Sequence, residues 1–450
     1  MSLYRSSEGQ AWPAARRIRA GRCARGAAWW CVLLCTAHFV VTARAATENR
    51  ITLSGLAVTS NATHLAISCS NGAWCVLDTA TNLPGEWVFR QTCLIETSNR
   101  LEMVLSESSP RRSRLFRARA PVLPTGEELA RYSNAAVYSD SVGGDALLVV
   151  QDGMVVFEHY AGATTSNTAH LLASGSKSFS AALYALAAAD GLWSLEEPVT
   201  NTIGEWCGDT NRWPIRIRHL LSLTSGLVDS TNYSAGNVPD LDTYGLAINE
   251  STQAYPPDHA CIYAPCNFQL LAAIFERKTG LDPVLYLYER LLCPLGFSSN
   301  GLALWTRDKF GKPQMAGGGY FTAREWARYG KLWLQNGAWQ GRQLLNPETA
   351  TWAVTCSNTA FLGYGLTWWL NRPTAGTYNP GVDIIPVDGR GDGDQIASNA
   401  PADMYMAAGT GKQRLYVIPS LRLVIVRYGH TLANPGWSDH ELLGTLLGVP

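Results

Sequence analysis

Ser174 and Lys177 stand three residues apart in Ala173-Ser-Gly-Ser-Lys-Ser-Phe179, which leads into an apolar, alanine-rich run ending at Ala189. Side chains three apart at the opening of a helix share a face, so the spacing sets the Ser174 hydroxyl beside the Lys177 amine. A serine is a poor nucleophile until a neighbouring base takes its proton. A lysine can be that base only where burial or nearby cations lower its pKa. The positive end of a helix also favours negative charge on the attacking oxygen. The pair therefore predicts nucleophilic attack by Ser174 with Lys177 as base, Ser174 serving at the same time as the cap of a helix over about 174–189. The spacing alone is equally compatible with a capped helix carrying an exposed lysine.

Other catalytic constellations are missing from the chain. There is no G-x-S-x-G elbow, no H-E-x-x-H, and no C-x-x-C pair that would suggest a zinc ribbon or a redox site. Asp388-Gly-Arg-Gly-Asp-Gly-Asp394 is glycine-rich and acidic but lacks the order and closing Glu of a calcium loop, and reads as a loop rimming a site.

The elements that must position Ser174 and Lys177 can be read on either side of them. Asp145 to Tyr160 reads as two strands about Asp152-Gly153, a strong hairpin signal. Leu415 to Ile418 and Leu421 to Tyr428 read as a second hairpin about Pro419-Ser420. Thr125-Gly-Glu-Glu128 and Thr322-Ala-Arg-Glu325 are capping boxes that open helices. Further helices are expected at 215–223, 266–278 and from Ser438 to about Leu447. Direct hairpins imply an antiparallel sheet, here with helices at both ends and a helical middle: an α+β unit over 127–450. Residues 50–119 read differently, as short strands separated by turn clusters such as Ser70-Asn-Gly and Asn82-Leu-Pro-Gly, which predicts a small β-sandwich-like domain over 46–119. Arg111, Arg112, Arg114, Arg117 and Arg119 read as a charged edge of it. Residues 120–126 are the linker.

Further motifs follow Ser174-Gly-Ser-Lys177 in a fixed order: Ile215-Arg-Ile-Arg-His-Leu-Leu-Ser-Leu-Thr-Ser-Gly-Leu227, Tyr263-Ala-Pro-Cys-Asn-Phe-Gln269, Ala316-Gly-Gly-Gly-Tyr-Phe321, Tyr364-Gly-Leu-Thr-Trp-Trp-Leu370 and Ala408-Gly-Thr-Gly-Lys-Gln413. Over about 126–450 the series resembles the serine β-lactamase-related hydrolases, the family around class C β-lactamases and penicillin-binding proteins, and within it the esterase and 6-aminohexanoate-dimer hydrolase branch. The resemblance implies a β-lactamase/transpeptidase-like fold, a Ser174 acyl-enzyme formed on an ester or amide, Lys177 as base and no cofactor. It also implies that Tyr263 is a shared base and later proton donor. Pro265 stands where the family usually has Asn, and Asn267 aligns with another position. A literal Lys278-Thr-Gly280 matches the third family motif but reads as a helix end. Gly409-Thr-Gly411 is the better match, with the amides of Ser174 and Thr410 (or Gly411) forming the oxyanion hole and Lys412 a candidate for the missing motif lysine. The resemblance leaves open a cell-wall D,D-peptidase, and a ligand-binding protein that keeps the pocket without turnover.

Composition bounds the rest. At 46% hydrophobic and 16% charged, the 450 residues can bury a large core, which excludes a disordered chain. Formal charge is 36 − 36 = 0, which offers no field for nucleic acid, so the expected partner is a small-molecule substrate. Residues 1–45 run basic (Arg16, Arg17, Arg19, Arg22, Arg25), apolar (Gly26 to Val41) and small (Ala43-Arg-Ala45), the order of a secretory signal. The apolar run is shorter than the roughly 20 residues of a membrane span, so membrane attachment is expected only if this segment stays uncleaved. Export would leave eight cysteines (Cys69, Cys75, Cys93, Cys207, Cys261, Cys266, Cys293 and Cys356) in an oxidising compartment, where disulfides are expected. The secreted or periplasmic protein is predicted to begin at or near Ala46. Intact-mass measurement of exported material checks this, and retention of residues 1–45 overturns it.

Overall fold

The computed structural model describes residues 121–298, 305–355, 360–372, 395–430 and 436–449, together with strand segments between 52 and 119. The signal-like segment, Cys69, Cys356, the Asp388–Asp394 loop and Arg111, Arg112 and Arg114 lie outside the described residues.

The N-terminal strands form two three-stranded antiparallel sheets. β1 (Thr52–Val58), β2 (Ala62–Ser68) and β5 (Arg100–Ser106) make one; β4 (Val88–Ile95), β3 (Ala73–Ala80) and β6 (Leu115–Arg119) make the other. Their middle strands carry buried apolar residues, Leu65 to Ile67 in β2 and Cys75 to Leu77 in β3.

The larger unit is built on a six-stranded antiparallel sheet. Helix α1 (Gly126–Ser141) opens on the reciprocal capping box of Thr125 and Glu128. It leads into the hairpin of β7 (Gly144–Gln151) and β8 (Met154–Tyr160). The turn residues Asp152 and Gly153 both take positive φ (48° and 79°), which suits the right-handed twist of the two strands. The chain then leaves the sheet for the helices α2 (Ser178–Ala189), α3 (Cys266–Thr279) and α4 (Ala323–Leu334). It returns as β9 (Trp369–Leu370), β10 (Tyr405–Gly409), β11 (Gln413–Ile418) and β12 (Leu423–Gly429), and ends in α5 (Asp439–Leu447). Strand order is β9-β10-β11-β12-β7-β8, so the early and late hairpins meet at the β12–β7 pairing.

Strands β10, β11 and β12 are buried along their whole length, because helices cover both faces of the sheet. Alternate residues of a strand point to opposite faces. Leu415 and Val424 face α4, where a Cβ on Gly330 would come within 2.7 Å of both side chains; this glycine lets the helix lie close on the sheet. Arg414, Tyr416 and Arg427 face the other way, toward α1 and α5. There the Arg414 guanidinium donates to both carboxylate oxygens of Asp439 (2.7 and 3.1 Å), with side-chain exposures of 1% and 0%. Tyr416 and Trp437 donate to the same carboxylate, so its charge is surrounded by donors.

One expectation changes. The predicted single helix from Ser174 is two elements, a 3-10 turn over Ala173–Lys177 followed by α2 from Ser178. Ser174 therefore caps nothing: the turn begins at Leu172 and has no side-chain cap bond. Disulfides are not formed among the described residues; Cys207, Cys266 and Cys293 are thiols, and Cys266 lies inside the core. No helix among the described residues is long and apolar enough to cross a membrane.

Candidate active site

The turn carrying Ser174 and Lys177 is held on both flanks by backbone and aromatic packing. Upstream, His170–Leu171 pairs antiparallel with Tyr320–Phe321, and the Leu172 amide donates to the Gly319 carbonyl at 2.8 Å. The Gly319 amide in return donates to Ser176 Oγ at 2.9 Å. Downstream, Phe179 stacks on Tyr329 with centroids 4.1 Å apart and meets Trp305 edge-on, which fixes the start of α2. Gly175 faces Trp326, whose ring would be 2.8 Å from a Cβ there. Between these anchors Ala173 takes φ 46°, a left-handed conformation that costs a residue with a side chain energy; such strain concentrates at functional turns.

In this frame Lys177 Nζ lies 2.9 Å from Ser174 Oγ and donates to the Ala316 carbonyl at 2.7 Å. The lysine is buried, 3% exposed, while Ser174 keeps partial access to solvent. Burial pulls the Lys177 pKa from 10.5 down to about 7, and the charge of Asp229 limits the fall. Tyr263 closes the group. The Lys177 ammonium sits over its ring, 4.6 Å from the centroid, where the ring's negative face compensates part of the lost hydration. The Tyr263 ring is also stacked with Trp369, centroids 5.6 Å apart. Burial raises the Tyr263 hydroxyl well above the ordinary range and the Ser174 side chain opposes that rise. No hydrogen bond of full geometry is formed by this hydroxyl among the described residues, although it lies close enough to the Ser174 side chain to feel it.

The Tyr263 loop is set by the segment running from Leu223 to Asp229. Ile262 donates its amide to the Leu223 carbonyl, Ser225 Oγ donates to Asn267 Oδ1 at 2.6 Å, and the Cys266 amide donates to Asp229 Oδ1 at 2.7 Å. Asn267 also donates to the Ala264 carbonyl, so both ends of its amide hold the loop and it faces no substrate. Pro265 begins α3 and brings no side-chain donor to the site. Lys278-Thr-Gly280 ends the same helix, with Gly280 in the left-handed cap conformation (φ 71°).

Gly409 lies at the end of β10, directly beside the nucleophile turn. A Cβ on it would be 2.0 Å from the Leu172 carbonyl oxygen and 3.1 Å from the Gly175 amide nitrogen. Only a glycine permits that approach to the residues flanking Ser174. Gly411 serves the chain reversal instead. With φ 80° it forms the β10–β11 turn, and Lys412 beside it is also at positive φ (60°).

The structure thus brings Ser174, Lys177, Tyr263 and Gly409 together. It adds two groups that the motifs do not reveal. The Ala316 carbonyl holds the lysine; its run Ala316-Gly-Gly-Gly is visible in the sequence, but a backbone oxygen has no residue type to betray it. Asp229 lies two residues beyond the motif ending at Leu227, is largely buried, and has its pKa raised by burial against the opposing pull of the Cys266 amide. No cluster among the described residues could hold a metal ion.

Comparison with known proteins bears on the fold that carries these residues. The Beta-lactamase family model matches residues 129–441. Penicillin-binding protein 4* of Bacillus subtilis (strain 168) is 26% identical over 167 residues, 34% of this chain; the chain spans about a third of that relative's length, 36%. A Bacillus anthracis protein assigned as a 6-aminohexanoate-dimer hydrolase superposes with TM-score 0.56 at 19% identity, covering 73% of this chain and 85% of that one. A penicillin-binding protein homologue from Caulobacter crescentus (TM-score 0.54, 14% identity, 72% and 97% coverage) has the same fold. So does EstCE1, a hydrolase with promiscuous acyltransferase activity (0.54, 15%, 71% and 97%).

Gly409→Ala is expected to destabilise the protein by about 1–3 kcal/mol, because the added methyl meets fixed backbone. Gly126→Ala, at a position open to solvent, is expected to leave the denaturation midpoint unchanged. Equal midpoints for the two variants in urea overturn the close approach of β10 to the nucleophile turn.

Proposed function

The chain belongs to the Beta-lactamase family, and on that premise we propose that it is an exported serine hydrolase that cleaves esters or amides through a Ser174 acyl-enzyme. One observation carries the reading: the buried Lys177 amine lies 2.9 Å from Ser174 Oγ with its pKa brought to about 7. At its ordinary pKa the amine would be fully protonated at neutral pH and unable to accept a proton. Near 7, about half is neutral.

Ser174 Oγ attacks the carbonyl carbon as its proton passes to Lys177 Nζ. The amides of Ser174 and of Thr410 or Gly411 receive the developing oxyanion. The carbon–leaving-group bond then breaks, and Tyr263 relays the proton to the departing alcohol or amine. Water next attacks the acyl carbon as its proton passes to Lys177 Nζ, the bond to Ser174 breaks, and the Ser174 oxygen takes that proton from Lys177. The match to Penicillin-binding protein 4* favours a second reading, a D,D-peptidase using the same steps; release of D-alanine from a muropeptide distinguishes it.

A fluorophosphonate probe is expected to label Ser174, located by peptide mass spectrometry. Ser174→Ala should abolish labelling, and Lys177→Ala should slow it by about two to four decades, the usual contribution of a general base. Protonation of Lys177 removes the base, so kcat/KM for p-nitrophenyl butyrate should rise with pH and level off above an apparent pKa near 7. An intact protein that takes no label is a binding protein and sinks the hydrolase reading.

The same site predicts poor handling of β-lactams. Pro265 stands where β-lactam-destroying relatives use Asn for the acylamide group, and Gly409 stands near the place of the lysine that holds the acid group. A lost hydrogen bond to a charged group costs about 1.5–3 kcal/mol, roughly one to two decades. Uncharged short esters need neither contact. p-Nitrophenyl butyrate should be turned over clearly and a chromogenic cephalosporin weakly; a cephalosporin kcat/KM equal to the ester value overturns this.

A further inference from the structure

Four consecutive carbonyls, those of Gly409, Thr410, Gly411 and Lys412, each accept a hydrogen bond from a side chain of β11 or β12. Arg414 Nη1 donates to Gly409 O at 3.5 Å, a long contact, and Gln413 Nε2 donates to Thr410 O at 3.3 Å. Arg427 Nη1 donates to Gly411 O at 3.0 Å and to Lys412 O at 3.1 Å. The peptide plane is rigid, and its N–H points away from its C=O. Fixing the carbonyls of Gly409 and Thr410 therefore fixes the N–H groups of Thr410 and Gly411, the two candidates for the second oxyanion donor.

Arg427 is the unusual member of this set. It is fully buried, and its remaining donors go to the Val142 carbonyl (3.2 Å) and to Ser139 Oγ (3.1 Å). Its face lies over Trp437, 4.5 Å from the ring centroid. Each hydrogen-bond acceptor it has among the described residues is neutral. Directly across the β11–β12 pairing stands Arg414, whose charge is matched by Asp439. Burial and the neighbouring Arg414 lower the Arg427 pKa to about 10, which leaves it charged at neutral pH. A buried cation with no carboxylate in contact among the described residues is costly, and a sheet needing only a filled core at this position would be served by an apolar side chain.

Resting on the hydrolase reading above, we propose that Arg427 is a positioning residue that braces the Gly409–Lys412 turn from behind and holds its amides toward the oxygen developing charge at Ser174. The two carbonyls that Arg427 holds belong to the peptides carrying the N–H groups of Lys412 and Gln413, so its brace reaches the candidate donors through the Gly411 backbone, next to the planes fixed by Arg414 and Gln413. The buried positive charge also acts on the oxyanion through a poorly screening interior. Arg427 touches no substrate; it acts through the turn.

The test compares wild type with Arg427→Gln and Arg427→Lys, and with Gln413→Leu as a milder second variant should Arg427→Gln fail to fold. Hydrogen–deuterium exchange reads the bracing without reference to activity. The turn amides should exchange at least about tenfold faster in Arg427→Gln and measurably faster in Gln413→Leu, while α2 is unchanged. Unchanged exchange at the turn overturns the brace. Steady-state hydrolysis of p-nitrophenyl butyrate reads the consequence. kcat should fall by about tenfold to a hundredfold with KM within twofold, affinity for phenylboronic acid should fall in parallel, and Arg427→Lys should recover part of each loss. Faster exchange with kcat and boronate affinity within twofold of wild type overturns the positioning role. A wild-type protein that neither hydrolyses the ester nor takes the fluorophosphonate label removes the hydrolase reading and the positioning role with it, and exchange alone then decides whether Arg427 braces the turn.

Discussion

The active site depends on keeping an amine out of water. In solution Lys177 would hold its proton far above neutral pH and offer Ser174 nothing. Inside the protein it is hydrated by almost no solvent and is left with two oxygen partners, Ser174 Oγ and the Ala316 carbonyl, and the face of Tyr263. These contacts hold the amine in place without fully restoring what water gave the charged form, and the pKa falls to about 7. Asp229 sets the other limit. Its charge opposes the fall of the lysine pKa, while its carboxylate receives the first amide of α3 and so shapes the Tyr263 loop. One carboxylate thereby serves both the base and the neighbouring hydroxyl.

The surrounding architecture can be understood as what this burial demands. Ser174 and Lys177 sit in a 3-10 turn rather than in the helix proper, and that turn is strapped to Gly319 by the Leu172 amide on one side and by the Ser176 hydroxyl on the other. Phe179 anchors the helix behind it among Tyr329, Trp305 and Phe321. On the remaining side β10 comes so close that a single methyl on Gly409 would collide with the Leu172 carbonyl. Small residues and aromatic rings together make a packed wall around a polar centre, and packed walls of this kind resist small displacements.

A second polar layer lies on the sheet face away from α4. Asp439 receives Arg414, Tyr416 and Trp437, and Arg427 extends the layer to the turn after β10. Buried ionic groups add little net stability compared with a well-packed apolar core. What they contribute here is direction: the carbonyls of one turn are each tied to a named donor. The site therefore draws rigidity from the aromatic packing behind α2 and from the ionic layer behind β11 and β12.

The sequence by itself singled out Ser174 and Lys177 as the candidate nucleophile and base and laid out the main elements. Ser174 and Lys177 are legible because a serine and a lysine three apart before an apolar helix express one local geometry, and capping boxes and the Asp152-Gly153 turn are likewise local in cause. The motif order from Ile215 to Gln413 made the fold class readable, yet it left Gly409, Thr410 and Gly411 undivided, because three adjacent small residues look alike until a strand is laid against Leu172. The cap assigned to Ser174 was wrong because the chain, paired with Tyr320–Phe321 just upstream, enters a tighter 3-10 turn with Ala173 in the left-handed region. Strands β9 and β10 escaped the reading because they are short or buried on both faces and lack alternation. Asp229, the Ala316 carbonyl and Arg427 act across 52, 139 and 253 positions of chain (229 − 177, 316 − 177 and 427 − 174). Only the tertiary structure decided them, since electrostatics depends on distance and burial in space, and residue type alone records neither.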